Sequence, residues 1–120
     1  MKGKQFTIDY DTYPGNTLVF AGAGKDYVIG CLRDNLDDDY DLLIIENSID
    51  SGLDFVCSFP KGKMLVFFKD EQPSVGIIAH EALHVVERIM EYIGNGSVPV
   101  NETWNYLLEH IVSKIHNGLF

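Results

Sequence analysis

The sequence predicts an α+β fold, with a small N-terminal antiparallel or mixed β-sheet followed by two long helices. Two observations predict it. Up to about residue 70, apolar residues come in short runs rich in β-branched and aromatic side chains, which is typical of strands. After residue 70 they recur at helical spacing, and strands first and helices last is the α+β order. With 120 residues and no internal repeat, we expect a single domain spanning residues 1–120.

The N-terminal part predicts five strands and one short helix. The strands are Gln5–Tyr10, Thr17–Ala21, Asp41–Glu46, Leu53–Phe59 and Lys63–Lys69. Pro60-Lys61-Gly62 between the last two predicts a hairpin turn. In the segment Asp26–Leu36, apolar residues fall at helical spacing and predict a short helix.

The C-terminal part predicts two helices. The first begins at Pro73 and Ser74 and ends at Gly94-Asn95-Gly96. It is apolar around most of its circumference, so we expect it in the middle of the domain. The second begins near Val100 and frays at Asn117-Gly118.

Composition excludes several classes of partner. The 18 acidic and 9 basic side chains leave a formal charge of −9, which argues against nucleic acid and against anionic lipid. No apolar run approaches the ~20 residues of a membrane span, and the basic start is not followed by a signal-peptide core. Cys31 and Cys57 form no CxxC pair, so we expect two reduced, partly buried thiols. The expectation is a cytoplasmic protein whose oligomeric state the sequence leaves open.

One motif carries chemistry. His80-Glu81-Ala82-Leu83-His84 is an HExxH pattern inside the first long helix. Four residues turn through about 400°, so both imidazoles project from one face, about 6 Å apart along the axis. At that spacing both can reach one tetrahedral zinc ion at ~2.0–2.1 Å, and Glu81 can take the proton of an attacking water. The alternative is a metal-free pair of hydrogen-bonded histidines, with Glu81 in solvent.

Such a zinc site needs a third protein ligand. The downstream acids and histidines are Glu102, Glu109, His110 and His116. If the two helices form a simple hairpin, His110 is level with His84. Glu102 can also reach, because residues 94–100 span up to ~23 Å when extended, against ~14 Å of helix beyond His84. Otherwise Glu102 is a first-turn carboxylate that faces the helix dipole.

The pattern resembles known metallopeptidases. HExxH followed by Asn101-Glu102 at the start of a second helix resembles the gluzincins, of which thermolysin is the familiar member. Residues 73–116 are more similar to small zincin-like proteins of phages, prophages and gut bacteria, whose second helix opens with Glu-x-x-Ala-Tyr. Here that segment reads Glu102-Thr103-Trp104-Asn105-Tyr106, with Asn105 in place of Ala. The resemblance implies His80, His84 and Glu102 as zinc ligands and Glu81 as general base; it implies no substrate.

Each of three neighbouring residues has more than one interpretation. Tyr106 lies one turn beyond Glu102 and can stabilise an oxyanion, or it is a half-buried packing aromatic. His110 is a groove histidine, an oxyanion partner or a substitute ligand. Glu87 is a solvated carboxylate or a hydrogen-bond acceptor for His84.

These observations predict a zinc-dependent hydrolase that acts on a peptide or protein substrate. The strand Lys63–Lys69 is expected either at the sheet edge, where it would pair with extended substrate, or in the centre of the sheet. The first alternative function is a non-catalytic, metal-stabilised binding protein of phage origin. The second is a metal-free module whose negative surface contacts a basic partner.

Overall fold

The computed structural model of the chain describes residues 3–10, 15–33, 39–59, 62–92 and 102–120, with the backbone alone for 39, 40, 102 and 103. Over these ranges the strands and helices alternate in pairs. In chain order they are β1 (Lys4–Asp9), β2 (Asn16–Ala21), α1 (Lys25–Arg33), α2 (Asp39–Asp50), β3 (Phe55–Phe59), β4 (Lys63–Phe68), α3 (Val75–Tyr92) and α4 (Glu102–Leu119).

The four described strands form one mixed sheet in the order β1-β2-β4-β3. The outer pairs β1–β2 and β3–β4 are antiparallel, whereas β2 and β4 run parallel in the centre. A parallel pair needs a crossover connection, and here α1, α2 and β3 lie between the two strands in the chain. The α+β class with a small mixed sheet is therefore confirmed.

Helices cover both faces of the sheet. Val66 and Phe68 of β4 pack in the cluster that contains α3 and α4, and Leu65 and Phe67 pack in the cluster that contains α1 and α2. Successive residues of a strand point to opposite faces, so β4 is buried on both sides by this arrangement. The molecule therefore has three layers, with α3 and α4 on one side and α1 and α2 on the other.

Most predicted elements are confirmed. The strands β1, β2, β3 and β4, the short helix α1 and the two long helices lie where the patterns place them, although α4 continues through Gly118 to Leu119. Cys31 and Cys57 are half-buried thiols that are not linked to each other. The turn residues Pro60 and Lys61 lie outside the described residues. The same holds for the predicted end of the short helix at Leu36, the predicted end of the first long helix at Gly94-Asn95-Gly96 and the predicted start of the second near Val100. Among the helices that are described, none has the length and hydropathy that a bilayer crossing requires.

The predicted strand Asp41–Glu46 is wrong, because this segment lies inside α2. Ile45 is fully buried, and Leu42 and Ile49 pack beside it at helical spacing. Leu43 and Ile44 are 51% and 40% exposed, so the apolar run does not alternate as a half-buried strand would. A run of four apolar residues fits either element, and only packing against the sheet decides between them.

The prediction of Lys63–Lys69 as an edge strand is also wrong. This segment is β4, which lies between β2 and β3, and its residues from Met64 to Phe68 are all buried. The central position predicted as the alternative is the observed one. The unbroken apolar run follows from helices covering both faces. Within the described sheet β3 lies at the edge instead.

Candidate metal centre

The helix α3 begins at a local capping signal. Ser74 accepts a hydrogen bond at Oγ from the Ile77 N–H (3.2 Å), and its carbonyl accepts one from the Ile78 N–H (3.0 Å). Both bonds satisfy backbone donors that the first turn of a helix leaves without partners. Pro73, just before the cap, is buried. The start of α3 is thus determined locally.

The rotation of α3 follows from its apolar stripe. Its buried face carries Ile78, Ala82, Val85, Val86, Ile89 and Met90. That stripe turns His80 and His84 to the surface, where the His84 side chain is 43% exposed. Glu81 lies on the buried side of the same turn, with only 5% of its surface exposed. One helical turn therefore presents two imidazoles to solvent above a buried carboxyl group.

The two imidazoles converge. The Nε2 atoms of His80 and His84 are 3.2 Å apart, with ring centroids at 4.8 Å and ring planes at 84°. Tetrahedral coordination at ~2.0–2.1 Å from each nitrogen places two donor atoms ~3.3 Å apart. The observed separation is close to that value, and it is also a hydrogen-bond distance between two imidazole nitrogens.

Glu87 lies next to the histidine pair. Its Oε2 is 3.6 Å from Nδ1 of His84, with the Glu87 side chain 44% exposed. This distance is too long for a hydrogen bond but short enough for attraction between a carboxylate and an imidazole. A carboxylate on the Nδ1 side favours the tautomer that leaves Nε2 able to bind a metal.

Glu81 is a buried acid whose Oε2 has no hydrogen-bond partner among the described residues. Burial raises the pKa of Glu81, the neighbouring imidazoles of His84 and His80 lower it, and Asp54 raises it again; the net shift is upward. The alternative in which Glu81 is solvated does not agree with this burial. An acid without a partner beside two imidazoles is available to accept a proton from a bound reactant.

Asp54 is a neighbour of Glu81 that the sequence did not single out. It precedes β3, and its Oδ1 accepts a hydrogen bond from the Lys69 N–H at 2.8 Å. This bond holds the Asp54 carboxylate at the end of the β3–β4 pair, where it contributes to the pKa of Glu81. No motif marks Asp54, because its position depends on how β3 packs beside α3.

The third ligand stays a prediction. Glu102 is the first residue of α4, but its side chain is not described. Within the side chains that are described, no group of three or more His, Cys, Asp or Glu residues is arranged to hold a metal ion. His116, another candidate, stacks on Phe120 at 5.0 Å near the far end of α4.

Tyr106 and His110 lie together on the surface of α4. With Glu109 and Ser113 they line an open depression of about 340 Å³ on α4. Tyr106 is 67% exposed, so it is not the half-buried packing aromatic considered as an alternative. Over the described part of the chain, no hydrogen bond or ion pair connects Tyr106 or His110 with His80 or His84.

Comparison with known proteins adds no further constraint on this centre. The chain matches no protein-family model, no curated protein and no solved structure. The chemistry of the centre therefore has to follow from the side chains that α3 brings together.

Proposed function

We propose that the protein is a zinc-dependent hydrolase and that it cleaves peptide bonds. His80 and His84 bind the metal, Glu102 completes the ligand set, and Glu81 is the general base. The 3.2 Å between the two Nε2 atoms is the observation that carries this proposal, because it matches the spacing of two ligands on one zinc ion. When bound in such a site, zinc polarises a carbonyl group and lowers the pKa of water to about 7.

Glu81 of α3 carries out the proton transfers of the proposed reaction. Glu81 accepts the proton of the attacking water at Oε2, which has no hydrogen-bond partner among the described residues. Its raised pKa makes it a stronger base than an ordinary carboxylate. It then returns the proton to the leaving amine, which must be protonated to depart. Burial keeps bulk water from competing for the carboxylate.

The outer edge of β3 is the place for an extended substrate. Among the described strands β3 pairs with β4 alone, so its other edge carries backbone donors and acceptors without a strand partner. A peptide added there gains main-chain hydrogen bonds beside α3. We therefore assign to β3 the pairing with extended substrate that the sequence suggested for Lys63–Lys69.

Replacing Glu81 with Gln tests the mechanism. The amide keeps the shape of the side chain but cannot take the proton. We expect E81Q to retain near-stoichiometric zinc by elemental analysis and to lose about 10²–10⁴-fold of the hydrolytic rate. Activity is followed with fluorescein-labelled casein and with a peptide library analysed by mass spectrometry.

The results of these measurements distinguish the hydrolase from the two alternative functions. Undiminished hydrolysis by E81Q would contradict the role of Glu81. Stoichiometric zinc without hydrolysis of either substrate by the native protein would favour a metal-stabilised binding protein. Absence of zinc, both as purified and after titration, would contradict every function that uses the metal.

Ligand variants test the metal site separately. We expect H80A, H84A and E102A to lower the zinc content sharply. H116A is the matched control, because His116 stacks on Phe120 near the C-terminal end of α4 and should leave zinc in place.

A further inference from the structure

A groove runs along the outer edge of β3. It has a volume of about 520 Å³ and is lined by residues of α2, β3 and α3. Four consecutive residues of β3, from Val56 to Phe59, contribute to it. Successive side chains point to opposite faces, so four consecutive residues line one cavity only where the cavity lies at the strand's edge. The groove is therefore the space beside β3, with α2 as one wall and α3 as the other.

We propose that this groove binds an extended peptide segment in which basic and apolar residues alternate. The segment lies beside β3, with its basic side chains towards α2 and its apolar or aromatic ones towards α3. Cleavage of such a peptide rests on the proposed function, whereas binding of the peptide in the groove does not.

The shape of the groove selects a single strand. Its walls belong to helices on opposite faces of the sheet, so α2 lies on one side of the β3 edge and α3 on the other. The sheet edge of a second copy carries the same two helices, which would meet the walls of the groove. A lone strand has no such layers. The occupant is therefore a peptide segment rather than another molecule of this protein.

The charges of the groove favour a basic segment. On the α3 wall, Nη1 of Arg88 lies 3.4 Å from Oε2 of Glu91, so these two charges largely compensate each other. On the α2 wall, Asp41 has no cation as ion-pair partner among the described residues. The groove thus keeps one uncompensated carboxylate, in a chain whose formal charge is −9. A lysine or arginine side chain directed at α2 complements it.

Apolar contacts come from both walls. Ile44 of α2 is 40% exposed and Tyr92 of α3 is 51% exposed, and both line the groove. Tyr92 offers a ring to an apolar or aromatic side chain directed at α3. Because side chains of an extended peptide alternate between the walls, the two preferences fall on alternate residues.

The groove lies at a defined distance from the histidine pair. Along α3, Arg88 is one turn or ~6 Å beyond His84, and Tyr92 is ~12 Å beyond it. An extended peptide advances ~3.3 Å per residue. Selection therefore acts at about the second to fourth residue on one side of the bond that is cleaved.

Binding is tested in the E81Q background, without added metal, so that no peptide is consumed. The probe is a fluorescein-labelled octapeptide that alternates Lys and Val, and the comparison peptide has Glu in place of Lys. By fluorescence anisotropy we expect the Lys peptide to bind at least about 10-fold more tightly. Adding D41N should weaken binding about 2–5-fold, and adding Y92A about 5-fold or more. D9N is the matched control, because Asp9 ends β1 at the opposite edge of the sheet.

Two further measurements test the position of the peptide. Methylation of alternate backbone nitrogens in the probe should abolish binding, because it removes the hydrogen bonds to β3. Bound probe should also slow alkylation of Cys57, which lines the groove, and leave the rate at Cys31 on α1 unchanged.

The outcomes distinguish this inference from the proposed function. Equal binding of the Lys and Glu peptides, or unchanged binding in both D41N and Y92A, would overturn the groove proposal even if the protein hydrolyses peptides. A dimer that excludes the probe and protects Cys57 would overturn it as well. Selective binding by a protein without hydrolytic activity would support the groove and contradict the hydrolase.

Discussion

The buried position of Glu81 lowers the stability of the folded protein and keeps its carboxyl group available for a reactant. The residue is 5% exposed, and its Oε2 has no hydrogen-bond partner among the described residues. Burying a polar group without a hydrogen bond costs about 1–3 kcal/mol by mutational measures. Such an arrangement is typical of a site that keeps one group ready for a reactant.

Replacing Glu81 with Met should therefore stabilise the metal-free protein. Met has a similar length and fills the same space without a polar atom to desolvate. We expect the free energy of unfolding, measured with urea in the presence of a chelator, to rise by about 1–3 kcal/mol. E87M on the same helix is the control: the Glu87 side chain is 44% exposed, and its replacement should change stability by less than about 0.5 kcal/mol. A loss of stability in E81M would show that the carboxyl group has a partner.

A side-chain hydrogen bond joins the end of β1 to the beginning of β2. The hydroxyl groups of Tyr10 and Thr17 are hydrogen-bonded to each other, and Thr17 is fully buried. Burial raises the pKa of Tyr10 to about 12, and the bond to Thr17 partly opposes that shift. The phenol is therefore held in its neutral form well above the pH at which a free tyrosine ionises.

This raised pKa makes stability depend on alkaline pH. The unfolded chain loses the tyrosine proton near pH 10 and the folded chain near pH 12, so the folded state loses relative stability across that interval. The loss from Tyr10 approaches about 2.7 kcal/mol at the upper end. We expect Y10F to be about 1 kcal/mol less stable than the native protein at pH 7. Because only the native protein loses stability from the tyrosine above pH 10, the difference should shrink and then reverse, so that Y10F is the more stable protein near pH 12. A gap independent of pH in urea unfolding would contradict this assignment.

Two helical glycines differ in the space that surrounds them. A Cβ atom at Gly30 of α1 would meet nothing within 4 Å, whereas one at Gly118 of α4 would lie 2.4 Å from the ring of Phe6. Gly118 thus allows α4 to approach β1 closely. The approach is reinforced by Lys4, whose amine donates a hydrogen bond to the carbonyl of Leu119 and lies 5.8 Å from the centre of the Phe120 ring.

Alanine at these positions should change stability in opposite directions. G30A should stabilise the protein by about 0.5–1 kcal/mol, because alanine loses less backbone entropy in a helix. G118A should destabilise it by about 1–3 kcal/mol, because the ring of Phe6 must move. In an F6A background the G118A penalty should disappear. Thermal unfolding checks all three variants, and stabilisation by G118A in the native background would refute the close contact.

At the scale of the whole molecule, α3 and α4 share one face of the sheet. They pack in one cluster with the α3-facing side chains of β2 and β4. If Glu102 joins His80 and His84 on zinc, as proposed, the metal connects the start of α4 to the middle of α3. Binding to the folded state alone then stabilises the whole domain.

Zinc should therefore raise the free energy of unfolding. At a free zinc concentration 100 times the Kd we expect a gain of about 2.7 kcal/mol, measured by urea unfolding with and without zinc. H80A and H84A should lose the gain, and E102A should lose most of it. H116A should retain it. Full retention by E102A would exclude Glu102 as the third ligand.

Much of the site could be predicted because its geometry is local. Residues 80 and 84 share a face of any helix, and the apolar stripe of α3 determines which face that is. The convergence of the two imidazoles therefore followed from spacing within one element. The upward pKa shift of Glu81 did not follow in the same way, because it depends on burial in the folded domain and on the charge of Asp54, which precedes β3.

The sequence by itself determined the α+β class, the two long helices and the placement of both histidines on one turn, because each of these depends on spacing within a single segment. Only the tertiary structure decided that Asp41–Glu46 is helical, that β4 is central and that β3 borders a groove. A short apolar run is buried equally well as helix or strand, and an apolar strand fits any position that is covered on both faces. Those choices depend on which surfaces the rest of the chain covers.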